Sequence, residues 1–258
     1  MNTNSDTRPL MTLHDVRAAF GLLTRLPVPV DTALATARGA SASWAYPLVG
    51  VGVALLAGFM SALLIAMGVP TAVAAAVCIA TLTITTGAMH EDGLADTADG
   101  LWGGWDRARR LAIMKDSHIG AYGVIALILS LLIHWSALNS LFAQGHIFAP
   151  LVVMAALSRA NMVLIMHVLP NARDTGLSQT VGRPARKTTF VAIGIAALTS
   201  LICIGLSVFA ALLIALCAAL SCGLIAQRKI GGQTGDILGA TQQVSQIAVI
   251  ATLAAIAP

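Results

Sequence analysis

The sequence predicts an all-α protein, a polytopic membrane helix bundle of about seven transmembrane helices with an amphipathic helix lying on the membrane surface near the N-terminus. Three observations carry that prediction. Apolar residues make up 57% of the 258-residue chain and charged residues only 10%, where an ordinary soluble domain carries about 25% charge. Mean hydropathy is +0.85. Apolar runs near the ~20 residues needed to cross a ~30 Å hydrocarbon core recur along the chain, and together they read as one membrane-embedded domain over residues 1–258.

The elements follow in order. Residues 1–30 are polar and then amphipathic, without the apolar run and small-residue cleavage site of a signal peptide. Over 12–24, Leu13, Val16, Phe20 and Leu23 recur at steps of three and four, with Asp15, Arg17 and Thr24 off that stripe, which predicts an interfacial helix. Pro27 and Pro29 end it. Apolar spans are expected at about 45–68, 71–89, 121–142, 147–169, 189–205, 208–226 and 237–257. The fifth and sixth nearly run together, so six or seven crossings both fit.

Basic residues orient these spans. Arg8, Arg17, Arg25 and Arg38 precede the first, and Arg107, Arg109, Arg110 and Lys115 follow the second. Arg173, Arg183, Arg186 and Lys187 follow the fourth, and Arg228 and Lys229 the sixth. In a seven-span arrangement all of these fall on one side, while the connections near 69–70, 143–146 and 206–207 carry no Lys or Arg. The positive-inside rule then places the N-terminus and the charged loops in the cytoplasm, with Arg159 alone inside a span. Loop placement also accounts for the net charge of +4 without a nucleic-acid partner. The four cysteines, Cys78, Cys203, Cys217 and Cys222, lie in apolar segments without CxxC spacing, so they read as buried packing residues.

Against this background one stretch stands out: "MHEDGLADTADGLWGGW", residues 89–105. Of the eleven acidic residues, Glu91, Asp92, Asp96, Asp99, Asp106 and Asp116 fall within 91–116. Asp92, Asp96 and Asp99 have the i, i+4, i+7 spacing that projects side chains from one helix face. Unpaired carboxylates stacked in this way repel one another, and a hard divalent cation such as Mg²⁺ or Mn²⁺ removes the penalty. Magnesium usually combines one or two carboxylates with substrate phosphates, and the arginines that follow suit the outer oxygens of a diphosphate.

Further polar islands lie on the same side. Asp236, among the glycines of "GGQTGDILGATQQ", reads equally as a helix N-cap or as a second metal or phosphate contact. Arg159 and Asn161 are costly in lipid and are expected to face a cavity or a partner. "NARDTGLSQTVGRPARK" (171–187), with Arg173, serves as a basic anchor or as a phosphate-binding loop. Lys115 and Asp116 read as a surface ion pair or as substrate contacts. His90 adjoins the acidic cluster as a structural residue or a secondary substrate contact.

"HEDGLADTADGLWGG", "IMKDSHIGAYG" and "GGQTGDILGATQQ", with "LLTRLPVP" and "LSRANMVLIMHVLP", together resemble the cobalamin synthase family of adenosylcobinamide-GDP ribazoletransferases. The matches run in order from about residue 20 to 245, with His118 where arginine is expected in that family. The resemblance implies a bacterial inner-membrane enzyme that joins adenosylcobinamide-GDP to α-ribazole or its 5′-phosphate and releases GMP. It implies Mg²⁺ held by Asp92, Asp96 and Asp99, with Glu91 as ligand or base. Lys115, Arg159 and Arg173 would contact the diphosphate, with Asp116, Asp236 and His90 as further substrate contacts. A homo-oligomer or neighbouring cobalamin-assembly enzymes stand as conceivable partners beyond the lipid bilayer. Two alternatives stay open. CDP-alcohol phosphotransferases share an aspartate-rich motif, but "DGLAD" has Asp96 where their arginine stands. A divalent-cation transporter would place its carboxylates near the bilayer midplane rather than at its edge.

Overall fold

A computed structural model describes residues 9–256; Arg8 and Ala257, the last residue of the final expected span, lie outside them. The helices are α1 (Leu13–Leu23), α2 (Thr32–Arg38), α3 (Tyr46–Ala66), α4 (Thr71–Thr86), α5 (Met89–Gly103) and α6 (Arg107–Ile113). They continue as α7 (Ala121–Ala143), α8 (Phe148–Val168), α9 (Leu177–Val181), α10 (Arg186–Ile204), α11 (Val208–Ile230) and α12 (Gly235–Ile256). Short 3-10 segments at Gly39–Ala45 and Gly205–Ser207 lead into α3 and α11.

Long apolar helices occupy all seven expected positions. On length and apolarity, however, five stretches qualify to cross a membrane, or six if the bent pair α4–α5 counts as one. The stretch Arg186–Ile230 holds two of the expected spans. Its 45 residues would extend about 68 Å if straight, over twice the hydrocarbon thickness. Instead α10 begins beside the end of α8, where Arg183 Nε donates to the His167 carbonyl at 2.5 Å. Asn161 in turn donates to the Ala215 carbonyl at 2.7 Å, and Gly223 lies against Ile165, so α11 runs alongside α8 in the same direction. α10 and α11 are therefore the two arms of a hairpin.

α8 is the central helix. It packs against α3, α10, α11 and α12, and nearly every residue from Pro150 to Met166 is buried. Small residues allow this: a Cβ on Gly50 of α3 would collide with the carbonyl of Ala155. Where lipid tails are as apolar as leucine, close backbone approach of this kind drives helix association.

α1 forms as expected, opened by a capping box in which the Asp15 amide donates to Thr12 Oγ1 and the Thr12 amide donates to Asp15 Oδ2. Its burial differs from the expected pattern. Asp15, placed by the periodicity off the apolar stripe, is fully buried, while Leu13 is 71% exposed. Arg38 reaches back to Asp15 with Nε at 2.7 Å and Nη2 at 2.6 Å, and Trp44 Nε1 donates to it at 2.9 Å. These bonds outweigh the desolvation that would favour the apolar face outright. Of the cysteines, Cys78 is buried, Cys203 and Cys222 are half-buried and Cys217 is exposed; all are free.

The expected span 71–89 stops at Thr86. Gly87 (φ +67°) and Ala88 (φ +56°) then turn the chain by 89° into α5. Ala88 is the positive-φ non-glycine residue among those described, a conformation that costs an L-residue ~1–2 kcal/mol. The Arg25 amide donates to the Thr85 carbonyl at 2.7 Å and helps hold the corner. Because α5 runs across α4 rather than continuing it, the acidic motif lies along the charged end of the bundle.

Candidate active site

Two close approaches fix α5. Gly93 crosses Gly239 of α12: a Cβ on Gly93 would stand 2.9 Å from the Asp236 carbonyl oxygen and 3.1 Å from Gly239 Cα. At the far end of α5, the Gly120 and Gly123 amides donate to Asp99 at 2.7 and 2.9 Å, and a Cβ on either glycine would strike its carboxylate. Asp99 thus caps the start of α7, where orphan N–H groups attract negative charge.

The crossing at Gly93 sets Asp92 beside Asp236. Both line one polar cavity of about 270 Å³, with Arg173, Asn171, Ser178 and Gln233. Asp96 is half-buried and feels the charges of Asp92, Asp236 and Asp99, opposed by Arg173. Asp236 is not the N-cap of α12: the Ile237 amide donates to Thr234 Oγ1 at 3.3 Å, so Thr234 caps the helix. The Asp236 carboxylate accepts from Thr234 Oγ1 at 3.1 Å and from Arg173 Nη1 at 3.3 Å.

Arg173 comes from the loop after α8, which is stitched to the loop before α12. The Gln233 amide donates to the Pro170 carbonyl and the Ala172 amide to the Gln233 carbonyl, each at 2.8 Å. Side chains repeat the stitch: Ser178 donates to Gln233 Oε1 at 2.6 Å, and Gln233 Nε2 donates to Asn171 Oδ1. Arg173 Nη2 donates to the Leu111 carbonyl at 3.2 Å, while its Nε is buried without a protein partner. Asn171, Ser178, Gln233 and Thr234 belong to the two polar islands, and nothing in the sequence singles them out as individual residues within those islands.

The other predicted residues lie elsewhere. Glu91 accepts from Thr83 Oγ1 at 3.1 Å, its Oε2 is buried without a partner, and it shares an electrostatic environment with Arg159. Arg159 is 2% exposed within α8, donates to the Ala155 carbonyl at 3.3 Å and does not line the acidic cavity. His90 is buried on the same side of α5, near the Arg159 charge. Lys115 and Asp116 are exposed and also absent from the cavity wall. Asp116 pairs with His118 at 2.7 Å rather than with Lys115. The acidic cluster is therefore divided three ways: Asp92 and Asp96 toward Asp236 and Arg173, Glu91 toward Arg159, and Asp99 onto α7.

The cobalamin-5-phosphate synthase family model matches residues 15–254. The chain belongs to that family. Curated relatives named adenosylcobinamide-GDP ribazoletransferase include one from Bradyrhizobium diazoefficiens, 39% identical with 94% of each chain covered. The relative from Mesorhizobium japonicum is 39% identical over 96% of this chain and 95% of its own. The one from Sinorhizobium medicae is 42% identical, over 93% and 95%. No solved structure matches. For this cobalamin-5-phosphate synthase family member, the matched span takes in every residue of the acidic cavity.

Whether the cavity suits a divalent ion is a question of donor chemistry. Among the described residues no group of three or more His, Cys, Asp and Glu side chains is arranged to hold one ion by itself. Asp92, Asp96 and Asp236 are hard oxygen donors whose charges oppose one another. Of these, Asp92 and Asp236 stand on the cavity wall, and two carboxylates that leave room for phosphate oxygens and water match the way Mg²⁺ is usually held.

Proposed function

We propose that this chain is a Mg²⁺-dependent adenosylcobinamide-GDP ribazoletransferase, with its acidic cavity on the cytoplasmic face of a bacterial inner membrane. The observation that carries the reading is the meeting of Asp92, Asp236 and Arg173 in one polar cavity, in a chain whose curated relatives carry that name. Bound Mg²⁺ would neutralise the diphosphate and the charge that develops on it. Asp92 and Asp236, the carboxylates on the cavity wall, would hold the ion together with phosphate oxygens and water; Asp96, Glu91 and Asp99, expected as ligands from the sequence, would act from beside it.

The residues of the chain then have distinct tasks. Arg173 exchanges its single contact with Asp236 for oxygens of the substrate diphosphate, which suits a planar guanidinium. The Asn171–Ser178–Gln233 stitch keeps that arginine over the cavity. The ribazole 3′-hydroxyl attacks the phosphorus on the cobinamide side, the bond to the GMP oxygen breaks, and GMP leaves in line. Asp96, beside the wall carboxylates and left free of the ion, accepts the hydroxyl proton. Catalysis of this kind is mostly positioning and charge neutralisation.

The test uses the purified protein in liposomes with adenosylcobinamide-GDP and α-ribazole, with Mg²⁺ or with EDTA. GMP and adenosylcobalamin should appear in equal amounts with Mg²⁺ and be lost with EDTA. Folded protein that forms neither product overturns the reaction; product formation indifferent to EDTA overturns the metal.

A further inference from the structure

On the other flank of α5 lies a second cavity, of about 520 Å³, with an apolar wall. Leu94 and Leu101 of α5 and Ala240 of α12 floor it, and it lies between α7 and α11. Ile125 and Leu129 of α7 line it while remaining 55% and 54% exposed, so its open side faces the same surroundings as these apolar side chains. In a membrane protein those surroundings are hydrocarbon. The depth is also informative. From Cys222 in the wall to Lys229 at the rim is seven residues of α11, or about 10 Å, within the ~15 Å of one leaflet of a ~30 Å core.

The rim is cationic and aromatic. Cys222, Ile225 and Lys229 follow one another on a single face of α11. Lys229 Nζ stands 4.5 Å from the centre of the Trp102 ring and donates to the Leu101 carbonyl at 2.6 Å, which leaves two of its protons for another acceptor. Arg228 beside it is exposed. Arg109 stacks at 5.8 Å on Trp105, which is itself 77% exposed. Tryptophan with lysine and arginine at the mouth of an apolar groove one leaflet deep marks a headgroup level. A nucleotide or diphosphate in the groove would lose its water and find few polar partners.

We infer that this groove is a binding site for an anionic glycerophospholipid, with its phosphate on Lys229 and Arg228 and one acyl chain in the cavity between α7 and α11. The lipid covers the apolar flank of α5 while the acidic flank faces Asp236. The site stands independently of the transferase reading, and its test reads lipid rather than turnover.

The full-length protein is delipidated in detergent and incubated with equal amounts of dioleoyl phosphatidylglycerol and dioleoyl phosphatidylcholine, and retained lipid is measured by mass spectrometry. Wild type should retain phosphatidylglycerol preferentially. In Lys229→Gln that preference should fall about fivefold, the factor for one basic residue at a membrane surface. Ala126→Trp, which fills the groove, should abolish retention of both lipids while the helical circular dichroism is unchanged. Equal retention of the two lipids by wild type, or an undiminished preference in a folded Ala126→Trp, overturns the proposal. So does a wild type that retains neither lipid and dimerises instead, since a second copy then covers the groove.

Discussion

Two arginine–aspartate pairs stand near the charged end of the bundle, and they are built differently. Arg38 and Asp15 meet at 2.6 Å with side chains 8% and 0% exposed, whereas Arg173 and Asp236 meet at 3.3 Å with 15% and 24%. Asp15 also accepts from Trp44 and from the Thr12 amide, and Arg38 donates further to the Pro9 and Leu10 carbonyls. Arg173 keeps a buried Nε without a protein partner, and Asp236 shares its surroundings with Asp92 and Asp96. The first pair is saturated by the protein and ties α1 to the segment before α3. The second is left short of partners beside a cavity. Identical residue types thus serve as a rivet in one place and as an open binding element in the other, and hydrogen-bond saturation tells them apart.

That contrast can be broken by mutation. Arg38→Ala strands the buried Asp15 charge and should cost about 3–5 kcal/mol of stability, read as a lowered thermal midpoint in detergent, with turnover per folded molecule retained. Asp236→Asn should do the reverse: about 10²-fold loss of turnover with the midpoint nearly unchanged. If Asp236→Asn instead unfolds the protein, the second pair is structural too. Gln233→Ala sharpens the comparison, because it removes the side-chain half of the stitch that carries Arg173 while the backbone half and both pairs remain. About a tenfold loss of kcat/KM is expected, with Gln233→Asn recovering part of it.

A smaller effect follows from acid. Burial alone would push the Asp15 carboxyl up, but the Arg38, Trp44 and Thr12 hydrogen bonds and the Arg38 charge prevail and hold it below the ordinary value. A depressed carboxylate stabilises the fold above its unfolded pKa, and that contribution is lost as pH falls through the folded pKa. Thermal midpoints measured from ~pH 5 to ~pH 2 should therefore fall at lower pH in wild type than in Trp44→Phe, which removes one of the donors.

Much of this architecture was legible in the chain. The seven apolar runs sit where α3, α4, α7, α8, α10, α11 and α12 form, because apolarity per residue is a local property. The number of crossings is less legible: six or seven fit the sequence, and hydropathy does not register that Gly87 and Ala88 turn α4 through 89° into α5. Helical periodicity also puts Asp15 on a polar face, because it does not reveal a distant Arg38 and Trp44. In the site, the i, i+4, i+7 pattern correctly set Asp92 and Asp96 on a common side. It missed that the amides of Gly120 and Gly123 would take Asp99.

By itself, then, the sequence determined the membrane class, the helices, the charged end and the concentration of carboxylates on α5, all of which follow from composition and short-range period. Only the tertiary structure decided which carboxylate meets which partner. Asp92 reaches Asp236 because Gly93 and Gly239 let two backbones touch, and Arg173 joins them because its loop is stitched to Gln233. A helical period names a face; the neighbour of that face is set by packing between segments far apart in the chain.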